Sequence, residues 1–107
     1  MIPKNLLSMV EFLPDRPRTQ LVHDSDNMRL VLFCIKAGQE VPHHSSSSEV
    51  VVCTLKGEGK FYIGEQEMAL CAGCLAVCPP NQSHAIKADK DLVVLAMISP
   101  RPSMNGS

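Results

Sequence analysis

The sequence predicts an all-β protein, a sandwich or barrel of about nine short strands. Three observations predict it. Val, Ile, Thr and Phe come in short bursts separated by Gly, Pro, Asn, Asp and Ser, the pattern of strands and turns. Helix formers are concentrated nowhere. Turn signals recur at near-regular spacing, as sandwiches and barrels require. At 107 residues, 45% of them hydrophobic, the chain can bury a real core but is too short for two ordinary domains.

Taken in order, residues 1–17 carry Pro3, Pro14, Pro17 and one short apolar stretch, Leu6 to Phe12. They read as an N-terminal arm with a strand or helical turn. Residues 18–24 read as a strand. Residues 28–36 are apolar on both alternating faces, so this strand needs cover on both sides; one cover is the core, the other a second sheet or a second subunit. Residues 49–55 are similar. Lys56-Gly57-Glu58-Gly59 reads as a turn, 60–63 as a strand, and Gly64-Glu65 as a tight hairpin turn. Gln66 to Cys71 is the return strand. Ala72-Gly73 turns again, Cys74 to Cys78 is a strand, and Pro79-Pro80-Asn81 is a rigid corner. Ser83 to Ala88 and Leu92 to Ile98 complete the set. The domain spans 18–100, and 101–107 reads as a frayed tail.

Composition excludes several functions. Lys and Arg number 10 against 11 Asp and Glu, a net charge of −1, with no basic cluster to bind nucleic acid. No apolar run is long enough to span a bilayer. The first residues lack the apolar stretch of a signal peptide, and a cytoplasmic protein is the expectation. Five cysteines, most in apolar strand-like runs, read as buried thiols in a reducing compartment rather than a disulfide framework. Cys71, Cys74, Cys78 and Pro79 form C-x2-C-x3-C-P, half of a ferredoxin-like signature. Thiols split over a hairpin converge poorly, so no cluster is expected from it.

Two histidines stand out. Gly38 is followed by His44, Ser46, Val50 and Gly57, and Gly73 by Pro79, Asn81 and His84. The spacing describes two strand-turn-strand units, each delivering an imidazole from a strand start. Neutral imidazole is a common metal ligand and a general base near neutral pH. His43 would point to the face opposite His44. Glu49 lies one residue from the inward position, which turns it outward unless the Ser45–Ser48 loop bulges.

These residues resemble the two motifs of a small single-domain cupin, a jelly-roll β-barrel of the RmlC-like kind. The match runs over roughly residues 28–99. In the first motif Gly38, His44 and Gly57 fall in register, while Ser46 and Val50 occupy the positions of a second His and a Glu. In the second, Gly73, Pro79 and His84 fall in register, with Asn81 for a Gly and Ala88 for an Asn. The resemblance implies a single antiparallel jelly-roll barrel with inward-facing His44 and His84. Metal-binding members use two His and a Glu of the first motif plus the His of the second; only two of these four ligands stand here. The subgroup with a first motif degraded in this way is largely without assigned biochemistry.

The pocket implied by this register is lined by His44, His84, Ser46, Val50, Val52 and Thr54. It is compact and mostly apolar, suited to a small, partly apolar ligand. The competing reading has both imidazoles hydrogen-bonded to backbone or water at the barrel mouth. No catalytic residue is assigned and no cofactor is required. Two imidazoles could hold at most a weakly bound divalent metal (Zn, Fe, Mn or Ni). Three functions follow: a small-molecule-binding cupin, which the sequence favours; a metal-dependent enzyme of dioxygenase or isomerase type; or a dimeric structural module with a vestigial pocket. A homodimer is expected from the double-faced strand 28–36, with Met9, Phe12, Leu30, Leu32 and Cys34 as candidate interface residues.

Overall fold

The computed structural model describes residues 2–102. A single 3-10 turn, Leu6–Met9, precedes nine strands: β1 Arg18–Asp24, β2 Arg29–Ile35, β3 Glu40–His44, β4 Glu49–Lys56, β5 Glu58–Ile63, β6 Gln66–Cys71, β7 Leu75–Cys78, β8 His84–Ala88 and β9 Leu92–Ser99. Every pairing is antiparallel. A five-stranded sheet in the order β1-β2-β9-β4-β7 faces a four-stranded sheet in the order β3-β8-β5-β6. The all-β jelly roll expected from the sequence is therefore the fold.

The core lies between the sheets. On β4, Val50, Val52 and Thr54 are buried and alternate with half-buried Val51, Cys53 and Leu55. The inward valines pack with Ile35, Phe61, Leu70, Leu92 and Val94. Burying a side chain such as Phe61 or Ile35 is worth about 1.5–3 kcal/mol.

A second, smaller core covers the outer face of the five-stranded sheet. Val22, Leu32, Cys34 and Val93 are buried there beneath Leu6, Met9, Val10 and Phe12 of the arm. The arm is tied down by polar bonds. Lys4 Nζ donates to the Val22 carbonyl at 2.6 Å, Arg18 to that of Met9 at 3.2 Å, and Gln39 Nε2 to that of Leu13 at 2.8 Å. This corrects the expectation for strand 28–36. Its second cover is the chain's own N-terminus, and Leu32 and Cys34, wholly buried within one chain, are not available to a partner.

The turn read over residues 56–59 is tighter than expected, closing at Gly57 alone. Gly57 adopts φ +91°, and a Cβ there would strike the carbonyl of Asp91; only glycine fits. Gly59 belongs to β5 rather than to the turn, buried against the backbone of Lys87. At the other end, Arg101 pairs with Asp24 at 3.1 Å and Ser48 Oγ donates to the Pro100 carbonyl at 2.6 Å. Arg101, the first residue of the expected frayed tail, is thus anchored; 103–107 lie outside the described residues.

The irregularity that matters most is in β3. Val41 pairs with Ile86 and His44 with His84, so three steps on β3 match two on β8. The extra residue is a β-bulge, placed next to Pro42, which has no N–H to donate to a ladder. Strict alternation from Val41 would send His43 inward and His44 outward. The bulge reverses this.

Candidate functional site: two imidazoles at the mouth of an apolar cavity

His44 closes β3 and His84 opens β8. The sequence reading placed both at strand starts; His44 is at a strand end, which is what an antiparallel partner of His84 must be. The two are direct register partners. Their rings meet edge to face with centroids 4.2 Å apart.

Each ring is oriented by the backbone just before it in the chain. His44 Nδ1 lies 3.1 Å from the Pro42 carbonyl and His84 Nδ1 3.2 Å from the Gln82 carbonyl, each two residues back. A carbonyl only accepts, so each Nδ1 carries the proton and donates it. Each Nε2 is then left with a free lone pair. This tautomer is the one a metal ligand or hydrogen-bond acceptor needs.

The two imidazoles differ in surroundings. His44 is exposed and His84 is buried. Burial is the main reason that His84 is held below its ordinary pKa; the neighbouring rings of His44 and His43 add to this, and the Gln82 carbonyl opposes it. His84 therefore stays neutral around pH 7. Behind it, the Cys78 thiol lies 3.4 Å from Nδ1 and within 3.6 Å of the carbonyls of Pro79 and Gln82. Burial pushes the Cys78 pKa up, so it packs as a neutral thiol.

Beneath the rings lies a cavity of about 60 Å³. His44, His84 and Ser46 supply its polar atoms, and Val50 and Val52 line it as the motif register implies. Phe33 and Ala96 of the five-stranded sheet and Val41 and Ile86 of the four-stranded sheet complete it, with Ile98 at one side. The sequence reading missed these last five, although Val41 and Ile86 stand two or three residues from the histidines. Thr54 does not line the cavity. It is buried further along β4, where its N–H donates to the Cys74 carbonyl and its own carbonyl accepts from Gly73, both at 2.8 Å.

The rim is built from two loops. The Asn81 N–H donates to the Ser46 carbonyl at 2.7 Å, and Ser46 Oγ accepts from the Ser48 N–H at 3.0 Å. Asn81 adopts φ +66°, a left-handed conformation that asparagine tolerates better than most residues. The turn geometry that a glycine would supply at this position is kept. Glu49 is exposed at the start of β4 and does not turn inward. His43 lies on the opposite face, with Nδ1 3.1 Å from Ser83 Oγ and its ring near Tyr62. Among the described residues, no group of three or more His, Cys, Asp or Glu could hold a metal.

Residues 31–98 match the family model described as "Cupin domain". The chain is a cupin. No curated protein matches it. Among solved structures this cupin is similar to an RmlC-like cupin protein of Desulfovibrio desulfuricans, at 38% identity and a TM-score of 0.87, over 94% of this chain and 97% of that one. It is also similar to TT1209 of Thermus thermophilus, at 27% identity and a TM-score of 0.90, over 95% of this chain and all of that one. As a cupin, it departs from the four-ligand pattern at Ser46 and Val50. Both side chains line the cavity, but a hydroxyl is a weak ligand and an isopropyl group is none. The donor set does not fit a tightly held metal. Nor, among the described residues, is there a helix long and apolar enough to cross a membrane.

Proposed function

We propose that this cupin binds a small, partly apolar molecule at the His44–His84 pair. The observation that carries the reading is the arrangement of the two rings. Both Nδ1 atoms are committed to carbonyls, and two free lone pairs are left at the mouth of a cavity with an apolar floor. A hydroxyl or amine of the ligand would donate to Nε2 while its short hydrocarbon part enters between Val50, Val52 and Ile86. The cavity is small, about 60 Å³, so the buried part of the ligand is short. A divalent ion (Zn, Fe, Mn or Ni) would be held at the same lone pairs only weakly, with water filling its remaining positions.

The test is an NMR titration of the histidine ring signals with short-chain alcohols, amines and carboxylic acids, and with Zn²⁺ alone. Saturable shifts of both His44 and His84, lost in His84→Ala, are expected from at least one organic class. Rings that respond to none of them in a folded protein would overturn the reading in favour of a vestigial pocket. Tight metal retention through purification would instead favour a metal-dependent enzyme.

We also propose a homodimer, on a different patch from the one that strand 28–36 suggests. The arm covers only part of the outer sheet face. On β7, Leu75 and Val77 remain 60% and 45% exposed, in register with Cys53 and Val51 of β4. Contiguous exposed apolar side chains of this kind mark contact surfaces.

A further inference from the structure

The turn between β6 and β7 holds two cysteines that the site does not use. Cys71 is exposed and Cys74 half-buried, and their sulfurs are 2.9 Å apart. The other three thiols are placed differently. Cys34 and Cys78 are buried, and Cys53 lies on the outer sheet face. The sequence places most of the cysteines in apolar strand-like runs and keeps 71, 74 and 78 apart. Cys78 does stand away, against His84, but Cys71 and Cys74 meet.

The backbone brings them together. Cys74 N–H donates to the Cys71 carbonyl at 2.8 Å, closing a four-residue β-turn. Gly73 has φ +91°, the third-position conformation of a type II turn. The first and last Cα atoms of a β-turn lie within about 7 Å, and a disulfide spans about 4.4–6.8 Å between Cα atoms. The turn is also pinned to β4 by the two Thr54 backbone bonds. It joins the edge strands of the two sheets, since β6 ends one and β7 the other.

We propose that Cys71 and Cys74 are a redox-active dithiol that closes reversibly to a disulfide by exchange with a small disulfide, RSSR. The Cys74 thiolate attacks one sulfur of RSSR, forming a mixed disulfide and releasing RS⁻. Cys71 then loses its proton and attacks Cys74 Sγ, forming the Cys71–Cys74 bond and releasing the second RS⁻. Both leaving groups take up protons, so two protein thiols and RSSR become one protein disulfide and two RSH. The division of labour follows from the surroundings. The Cys71 thiol and then its backbone hold Cys74 below the ordinary thiol pKa. Cys71 is pushed up, first by its bond to Cys74 and the charge there, then by desolvation and by Glu58, its partner across the β5–β6 ladder. A thiolate is the attacking form.

The test uses the whole protein, reduced, then equilibrated across a series of reduced-to-oxidised glutathione ratios and quenched with an alkylating agent in denaturant, so that buried thiols are also labelled. Intact mass should move from five alkylated thiols to three, with all five recovered on adding dithiothreitol. Peptide mapping should place the bridge between Cys71 and Cys74. Cys71→Ser should accumulate a glutathione adduct on Cys74, since the resolving thiol is gone. In the reduced parent, where both thiols are present, a brief pulse of sub-stoichiometric alkylating agent should label Cys74 before Cys71. Five free thiols at every ratio, or a bridge to Cys53, would overturn the proposal. Cys71 labelled first in the parent would overturn the role given to Cys74.

Discussion

His44 and His84 face each other across the β3–β8 ladder with ring centroids 4.2 Å apart, one exposed and the other buried. A ligand reaching this pair from solvent meets His44 first and completes its contacts at His84. The pair is set by backbone, since each Nδ1 is held by the carbonyl two residues before it.

Restoring the missing donors should create a metal site. Ser46 and Val50 line the same cavity as the two imidazoles, so Ser46→His with Val50→Glu adds two ligands, one of them anionic. Affinity for Zn²⁺ should rise at least about a hundredfold, or ~2.8 kcal/mol. Titration calorimetry on the parent and the folded double variant reads this directly. An unchanged affinity would mean that positions 46 and 50 do not reach the ion.

Stability should fall on mild acidification. His84 is held below its unfolded-state value of 6.5, chiefly by burial. Between that value and the lower folded one, the unfolded chain binds a proton that the folded chain refuses, so stability rises with pH there. The contribution is complete above about pH 6.5 and is lost as pH falls through the folded value. Urea midpoints from about pH 8 to pH 5, where most carboxylates stay charged, should decline in the parent and less in His84→Gln.

The turn at Gly57 should not accept a side chain. Gly57→Ala combines a left-handed φ with a Cβ against the Asp91 carbonyl. The conformation alone costs about 1–2 kcal/mol, and relieving the contact adds to it. Chemical denaturation should show the loss, while Asn81→Gly, at a left-handed position held by a residue other than glycine, should be neutral or slightly stabilising.

Weakening the arm should expose a thiol. Cys34 is covered by Leu6, Met9, Val10 and Phe12. In Leu6→Ala with Phe12→Ala, Cys34 should label with a maleimide at least about tenfold faster, which corresponds to ~1.4 kcal/mol less protection against local opening. An unchanged rate would mean that the arm does not seal this face.

Much of this was legible in the sequence because turns are written in glycine and proline. Gly57, Gly64 and Gly73 bound strands where the spacing places them, and β1 and β6 run over the expected residues. The inward set Val50 and Val52 followed from alternation. What alternation could not give was the β3 bulge, since an inserted residue leaves no compositional trace beyond Pro42. The arm as the cover of strand 28–36 was not legible for another reason. Residues 28–36 demand a second cover, but nothing in periodicity says whether the cover comes from the same chain. Thr54 failed as a pocket residue because the cavity closes before β4 reaches it.

The bulge beside Pro42 has a further consequence, for how this site could change over evolutionary time. Position 43 and position 44 both carry an imidazole, and the local backbone count decides which one is presented inward. Deleting one residue between Val41 and His43 would restore plain alternation. His44 would stay opposite His84, but the Pro42 carbonyl that holds its Nδ1 would be lost with the deleted residue. Deleting one residue after His43 instead would present His43 in its stead. In either case an imidazole would still fall opposite His84, so the doubled histidine and the bulge together leave the ring pair open to a change of chain length.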